Sequence, residues 1–177
     1  MSSFNVVIAT IGRPTLQRMV DSIAPQLKRG DYLTLIFDGG QTDVILKTDA
    51  TVIQINNSEV LGHYGHASRT RWQNYLPGDY LMNADDDDAY VDGAMDIVRE
   101  HCTEHKLYVF QMQYEEHLIP KRHVIEFANI GTPCGVYPTD ILLPDWPYEY
   151  GGDFNFYQSL EKLIPVEFVD KVIYKVR

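Results

Sequence analysis

Cysteine is scarce in this 177-residue chain. Cys102 and Cys134 form no Cys-x-x-Cys pattern and read as ordinary reduced thiols. Long apolar runs are absent as well. None approaches the roughly 20 residues that span a bilayer, so no membrane span is expected. The stretch "MSSFNVVIATIG" lacks the basic n-region and apolar h-region of a signal peptide, and a cytoplasmic protein is the expectation. Positive charge is in short supply: 15 Lys and Arg stand against 25 Asp and Glu, for a net charge of -10. So acidic a chain is a poor partner for nucleic acid or an anionic membrane, and no nucleic-acid partner is expected. It can still hold an anion locally through Arg, backbone N–H groups or a metal. Repeats, low-complexity tracts and linkers are also missing. The length suits one domain, 1–177, with a full hydrophobic core. At 45% hydrophobic and 23% charged residues the composition is that of a globular protein.

What is present is an alternation of strand-like and helix-like segments. "NVVIAT" (5–10) is a short β-rich apolar run, expected as a buried strand. In "IGRPT", Gly12 suits a turn and Pro14 a first helical position. Leu16, Met19, Val20, Ile23 and Leu27 then recur at helical spacing, with Gly30 and Asp31 closing the helix. "YLTLIFDGG" (32–40) and "TVIQIN" (51–56) are the next strands. "ASRTRWQNYL" (67–76) predicts a helix, "YLMNA" a strand, "GAMDIVREHC" a helix and "KLYVFQMQY" a strand. "HVIEFANIGT" looks extended, and Pro133, Pro138, Pro144 and Pro147 punctuate loops. "DFNFYQSLEKL" (153–163) predicts a helix with Phe156, Leu160 and Leu163 on one face. "VEFVDKVIYKV" closes the chain as one or two strands. Buried-looking strands alternating with helices predict an α/β fold with a mainly parallel central sheet flanked by helices. Such sheets place ligands at the carboxyl ends of their strands, here the loops after Thr10 and Phe37.

The run "YLMNADDDDAY" sits at such an end. Four adjacent carboxylates repel one another and resist burial. Residues two apart in an extended chain share a side, so Asp85 pairs with Asp87 and Asp86 with Asp88. Carboxylate oxygens suit hard cations such as Mg²⁺ or Mn²⁺, which take one or two protein carboxylates and complete their shell with water and substrate phosphates. A solvated acidic turn is the plainer alternative, and its strand-end position is the reason to set it second. An EF-hand loop starting at Asp88 fails, because Tyr90 and Arg99 stand where oxygen ligands are needed.

Taken in order, "NVVIAT", "IGRPTL", "IFDGGQTD", "GHYGHASRTRWQNYLPGDYL", "NADDDDAY" and "YGGDFNFYQSL" resemble the motifs of nucleotide-sugar glycosyltransferases of the GT-A fold, in the large family-2-like group. The resemblance covers residues 5–163. The sequence departs from the pattern at Asn83 and Ala84, where bulky apolar residues are usual. It departs again at Thr70, in place of a frequent Asn, and at Gly152, in place of the usual Glu before Asp153. Little chain follows the last helix to clasp an acceptor.

The resemblance implies a Rossmann-like GT-A domain and a metal-dependent transfer from a nucleoside-diphosphate sugar to a glycan or other acceptor hydroxyl. It implies that Asp38 accepts the imide N–H of uracil, which favours a UDP-linked donor. Thr10 and Arg13 would contact base or phosphates, and Arg69 the diphosphate or the acidic run. Asp85 would contact ribose or the metal and its water, with Asp87 a direct ligand of Mn²⁺ or Mg²⁺. Asp86 counts among the donor-contacting residues, although it and Asp88 can instead face the protein. Asp153 is the general base of an inverting displacement. Four of these residues have a plainer alternative: a turn at Asp38, a solvent-facing residue beside a helix start at Arg13, a helix-surface salt bridge at Arg69, and a helix N-cap at Asp153.

Three other readings compete. "HCTEH" (101–105) matches the His-x-x-Glu-His zinc peptidase pattern, with His101 and His105 on one helix face. Nucleotidyltransferases and sugar-nucleotide hydrolases also use carboxylates and Mg²⁺. A non-catalytic nucleotide-sugar binder would lack the base. His63 and His66 could approach a phosphate or metal, although a polar loop is the first reading for both, and His123 is a candidate third metal ligand. Trp146, Tyr148 and Tyr150 could stack on a sugar ring or simply pack the loop.

Overall fold

The structure is a computed structural model describing residues 2–177. Its centre is the first strand, β1 (Phe4–Thr10), all seven of whose residues are buried. Burial on both faces is why the run reads as continuously apolar rather than alternating. β1 pairs in parallel with β2 (Tyr32–Phe37) on one side and β4 (Tyr80–Asp85) on the other, and β2 pairs in parallel with β3 (Thr51–Asn56). Beyond β4 the pairing changes sense. β8 (Gly135–Pro138) runs antiparallel to both β4 and β6 (Leu107–Tyr114). β6 pairs in parallel with β9 (Val166–Val176) through a bulged register. β5 (Ala89–Tyr90) and β7 (His117–Ile119) pair antiparallel with β9 and β6. The long registers are the parallel ones, so the sheet is mostly parallel, in the order β3-β2-β1-β4-β8-β6-β9-β5.

Among the described residues four α-helices accompany it: α1 (Leu16–Ile23), α2 (His66–Trp72), α3 (Ala94–His101) and α4 (Gly152–Leu160). α1 buries Leu16, Met19, Val20 and Ile23 against the sheet, each stabilising by roughly 1.5–3 kcal/mol when fully buried. Two boundaries differ from expectation. Pro14 lies in the turn before α1, whose N-cap is Thr15. The helix ends at Ile23 rather than Gly30, because Pro25 has no N–H to donate and its ring would clash with the preceding turn. A 3₁₀ turn (Ala24–Gln26) follows, and Leu27 is buried beyond it. Asp31 instead ties chain segments together, accepting the Phe4 N–H (3.1 Å), the Lys28 N–H (2.8 Å) and an Arg99 guanidinium N–H.

The expected extended segment at 123–132 is not a strand. It coils around Asn129, whose side chain accepts the Lys121 N–H and donates to the carbonyls of Arg122 and Val124. One buried amide thus satisfies three backbone groups that a ladder would otherwise have paired. Leu163 also departs from expectation: α4 stops at Leu160 and Leu163 is exposed. No helix is long and apolar enough to cross a membrane among the described residues.

Candidate active site

The carboxyl ends of β1, β2 and β4 open onto one cleft of about 510 Å³. Thr10, Arg13, Asp38, Asp85, Asp86, Asp87 and Asp153 all line it. Arg69 lies directly beneath, bonded to Asp85. Parallel pairing sets this convergence: Thr10 is opposite Phe37 in β2, and Ala9 is opposite Asp85 in β4, so three strand ends finish level.

The acidic run leaves β4 at Asp85 and turns through 86–88 into β5. Asp85 and Asp87 are half-buried, whereas Asp86 and Asp88 are buried. Asp86 accepts the Thr10 hydroxyl (2.6 Å) and lies 3.3 Å from Arg13 Nη1. Desolvation pushes its carboxyl above the ordinary value, against the Thr10 bond and the Arg13 charge. Burial pushes Asp88 up to about 6, against the hydrogen bond it accepts from the Arg177 N–H. The open pair is held by arginines. Arg13 Nη1 donates to Asp87 Oδ2 (2.5 Å), and Arg18 donates to the Asp87 carbonyl. Arg69 Nη2 donates to Asp85 Oδ1 (2.7 Å).

Arg69 is fully buried, with its guanidinium 5.3 Å from the Trp146 ring. It also donates to the carbonyls of Tyr64 and Ala84, both at 3.1 Å, while its Nε is buried without a partner. It therefore joins the loop before α2 to the end of β4. Arg69→Met should destabilise the protein by about 2 kcal/mol, since two carbonyls and a carboxylate lose their donor. Urea denaturation measures this, and a loss below about 0.5 kcal/mol would reduce Arg69 to a surface-type ion pair.

Asp38 is buried and accepts three protein hydrogen bonds: from Leu61 N–H (2.7 Å) and Asn57 Nδ2 (3.1 Å) at Oδ1, and from Gly62 N–H (2.7 Å) at Oδ2. It anchors the loop after β3, and its Oδ2, which accepts one hydrogen bond, has capacity for another on a residue that lines the cleft. The Thr10 hydroxyl donates to Asp86 and accepts from Gly12 N–H (2.9 Å), so it braces the floor of the cleft.

Asp153 is not the N-cap of α4; that position belongs to Gly151, in the left-handed region. Asp153 sits in the first turn and accepts its neighbour's N–H, Phe154, at Oδ1 (2.8 Å). Among the described residues no other residue donates to its Oδ2, and the residue's own backbone N–H lies against the carboxylate. Desolvation raises its carboxyl above the ordinary Asp value, opposed by the Phe154 bond and the nearby His66. The usual Glu before it would not fit. A Cβ on Gly152 would stand 2.3 Å from the Pro147 carbonyl oxygen and 2.7 Å from His66 Nδ1.

Several expectations fall. The His-x-x-Glu-His pattern is not on one helix, because α3 ends at His101. His101 Nδ1 bonds the Ile97 carbonyl, and His105 pairs with Asp140 at the surface. His123 pairs with Asp170 and stacks on Phe168, and it is not among the cleft residues, so it is no third ligand for the acidic run. Trp146 cannot stack on a sugar. It is fully buried, face to face with Phe156 at 4.0 Å, with its backbone N–H held by the Thr70 hydroxyl. Tyr148 stacks on His63 at 4.9 Å, and exposed Tyr150 lines the cleft. Of the two readings open for His66, the polar loop is the one that fails: His66 begins α2, is buried and lines the cleft beside Asp153. The available signal was "GHYGH", whose two glycines bracket a backbone that turns sharply into α2.

Among the described residues no three His, Cys, Asp or Glu side chains cluster as a self-sufficient metal site. The donor set at Asp85 and Asp87 is two hard, partly open carboxylates. That fits a Mg²⁺- or Mn²⁺-type ion whose remaining ligands come from water and a bound diphosphate.

No protein-family model matches the chain, and no curated relative does. Solved structures do. The S. aureus TarS structure matches with a TM-score of 0.75 at 16% identity, over 98% of this chain and 36% of that one. TarS 1-349 in complex with UDP-GlcNAc matches at 0.69 and 14%, over 99% and 58%. The mannosyltransferase PcManGT from Pyrobaculum calidifontis, in complex with GDP-Man and Mn²⁺, matches at 0.72 and 12%, over 98% and 56%. The chain spans less than two thirds of the length of each. The fold is thus the GT-A glycosyltransferase fold, a mostly parallel sheet flanked by helices.

Proposed function

We propose that this chain, built on the GT-A fold, transfers a sugar from a nucleoside-diphosphate sugar to an acceptor hydroxyl with inversion at the anomeric carbon. The observation that carries this is the pairing, in one cleft, of an open two-carboxylate site with a separate carboxylate whose second oxygen accepts from no other described residue. Asp38 would accept the imide N–H of uracil with its remaining lone pair, which favours a UDP-linked donor. Arg13, the most exposed cation of the cleft, would meet the diphosphate. Asp85 and Asp87 would hold a divalent cation, which when bound neutralises charge on the leaving nucleoside diphosphate.

Asp153 Oδ2 would take the proton of the acceptor hydroxyl as that oxygen attacks the anomeric carbon. The new C–O bond forms as the bond to the diphosphate oxygen breaks, and the leaving group keeps that electron pair. Because Asp153 is partly desolvated, its carboxyl is held above the ordinary Asp value, which makes the carboxylate a stronger base than an exposed one.

The test is a panel of UDP- and GDP-sugars, each with and without Mn²⁺. One donor should raise the melting temperature in a Mn²⁺-dependent manner and be turned over slowly to free nucleoside diphosphate. Stabilisation by no nucleotide sugar would reject the assignment. Release of a nucleoside monophosphate instead would replace it with a pyrophosphate-cleaving activity.

A further inference from the structure

The loop entering α2 adopts an unusual backbone. Gly62, His63, Tyr64 and Gly65 have φ of 69°, 57°, 57° and 79°, four successive positive values, with Tyr64 and Gly65 in the left-handed helical region and Gly62 outside it at ψ -144°. Two of them carry side chains, at a cost of order 1 kcal/mol each. Gly65 must be glycine for a second reason: a Cβ there would come within 2.9 Å of Ala9 Cβ and 3.2 Å of Arg69 Nη1. The strain is spent bringing the start of α2 down onto β1, and the first residue so placed is His66.

The imidazole of His66 has a fixed orientation. Nδ1 lies 2.7 Å from the Pro147 carbonyl oxygen, which can only accept, so the ring proton sits on Nδ1. Nε2 then carries a bare lone pair. It has no protein partner among the described residues, and it is not one of the sealed, unsatisfied buried atoms. The ring itself is buried between Trp146 (5.5 Å) and Tyr64 (6.3 Å) and lines the cleft. A lone pair repels phosphate oxygens, which are acceptors too. Its complement is a ligand O–H.

We infer that His66 Nε2 accepts a hydrogen bond from a hydroxyl of the transferred sugar and so helps select which sugar is bound. The inference rests on the proposed transfer reaction. Asp85 would lie at the nucleotide end and Asp153 at the attacked carbon, so what lies between them is the sugar. His66 is within electrostatic reach of both carboxylates. Burial, chiefly, keeps its pKa below the ordinary value, which leaves the lone pair available at neutral pH.

Asn and Gln separate the two ring nitrogens. In His66→Asn the amide N–H stands near Nδ1 and can keep the Pro147 bond, while nothing replaces Nε2. In His66→Gln the amide reaches the Nε2 position. Calorimetric titrations with Mn²⁺ would use the panel donor that stabilises the wild type, its bare nucleoside diphosphate, and deoxy analogues of its sugar. His66→Asn should weaken the nucleotide sugar by about tenfold, the scale of one lost ligand hydrogen bond, and leave the bare nucleotide unchanged. One deoxy analogue should bind wild type and His66→Asn alike, identifying the hydroxyl, and His66→Gln should recover part of the loss. Equal weakening of sugar and bare nucleotide would make His66 a structural residue and overturn the inference. So would wild-type affinity of His66→Asn for the intact donor, with the transfer reaction left standing. Failure of the wild type to bind any donor would overturn both.

Discussion

Asp153→Asn should lower kcat by about 100- to 10,000-fold, the range that a positioned general base contributes. Donor affinity should stay within about twofold, because the substitution removes a proton acceptor and leaves the size of the side chain unchanged. The amide oxygen can still accept the Phe154 N–H. Two further readouts distinguish a base from a structural acid. In the wild type, kcat/KM should fall as pH drops, along a limb whose midpoint lies above the ordinary Asp value of 3.8, since desolvation raises the Asp153 pKa. That limb should vanish in the residual activity of the variant. Stability should move the other way. A carboxyl whose folded pKa is raised contributes stability that is present below its unfolded pKa and is lost as pH rises through the folded one. At neutral pH Asp153 is therefore a net cost, and Asp153→Asn should melt at a higher temperature than the wild type. A variant that loses donor binding together with turnover, or that melts lower, would deny Asp153 the role of base.

The second large effect is expected at Asp87. Asp87→Asn should reduce Mn²⁺-dependent donor affinity by about 100-fold or more, since even the outer partners of metal ligands are typically worth 10- to 100-fold. Asp85→Asn should follow with a somewhat smaller loss, because Arg69 would remain beneath it. Asp86→Asn and Asp88→Asn should act mainly on folding, for their oxygens are buried on Thr10 and on the Arg177 N–H. Titrating Mn²⁺ into each variant at fixed donor separates the two classes. Equal and small effects at all four positions would make the run a solvated turn.

The alternating burial of Asp85 to Asp88 matches the parity expected of an extended chain, although the run forms a turn at 86–88, so here the turn rather than the strand pleat sets the alternation. Legible before any coordinates were β1, β2, β4 and β6, whose apolar runs are buried on at least one face, and β3, which no position buries fully but whose Val52, Ile53 and Ile55 are partly covered. What escaped the sequence depends on contacts between distant segments. β8 is a short strand ending in proline, recognisable only once β4 and β6 lie on either side of it. Trp146 reads as a loop aromatic until Phe156 closes over it and Thr70 fixes its backbone. His66 looks like any loop histidine, since its tautomer is dictated by a carbonyl 81 residues away. Pro25 is a different case: it breaks a helical period that the apolar residues alone carry on to Leu27, and it was readable locally.

The Arg13–Asp87 pair gives the cleft a resident counterion. In the proposed reaction a divalent cation taking Asp87 would meet a guanidinium already seated there, so that loading would be an exchange rather than a simple addition. The heat released on forming one contact would be partly cancelled by breaking another, and the freed guanidinium could turn to an arriving diphosphate. Metal and donor would then become mutually reinforcing passengers, since each would give Arg13 a reason to be where the other needs it.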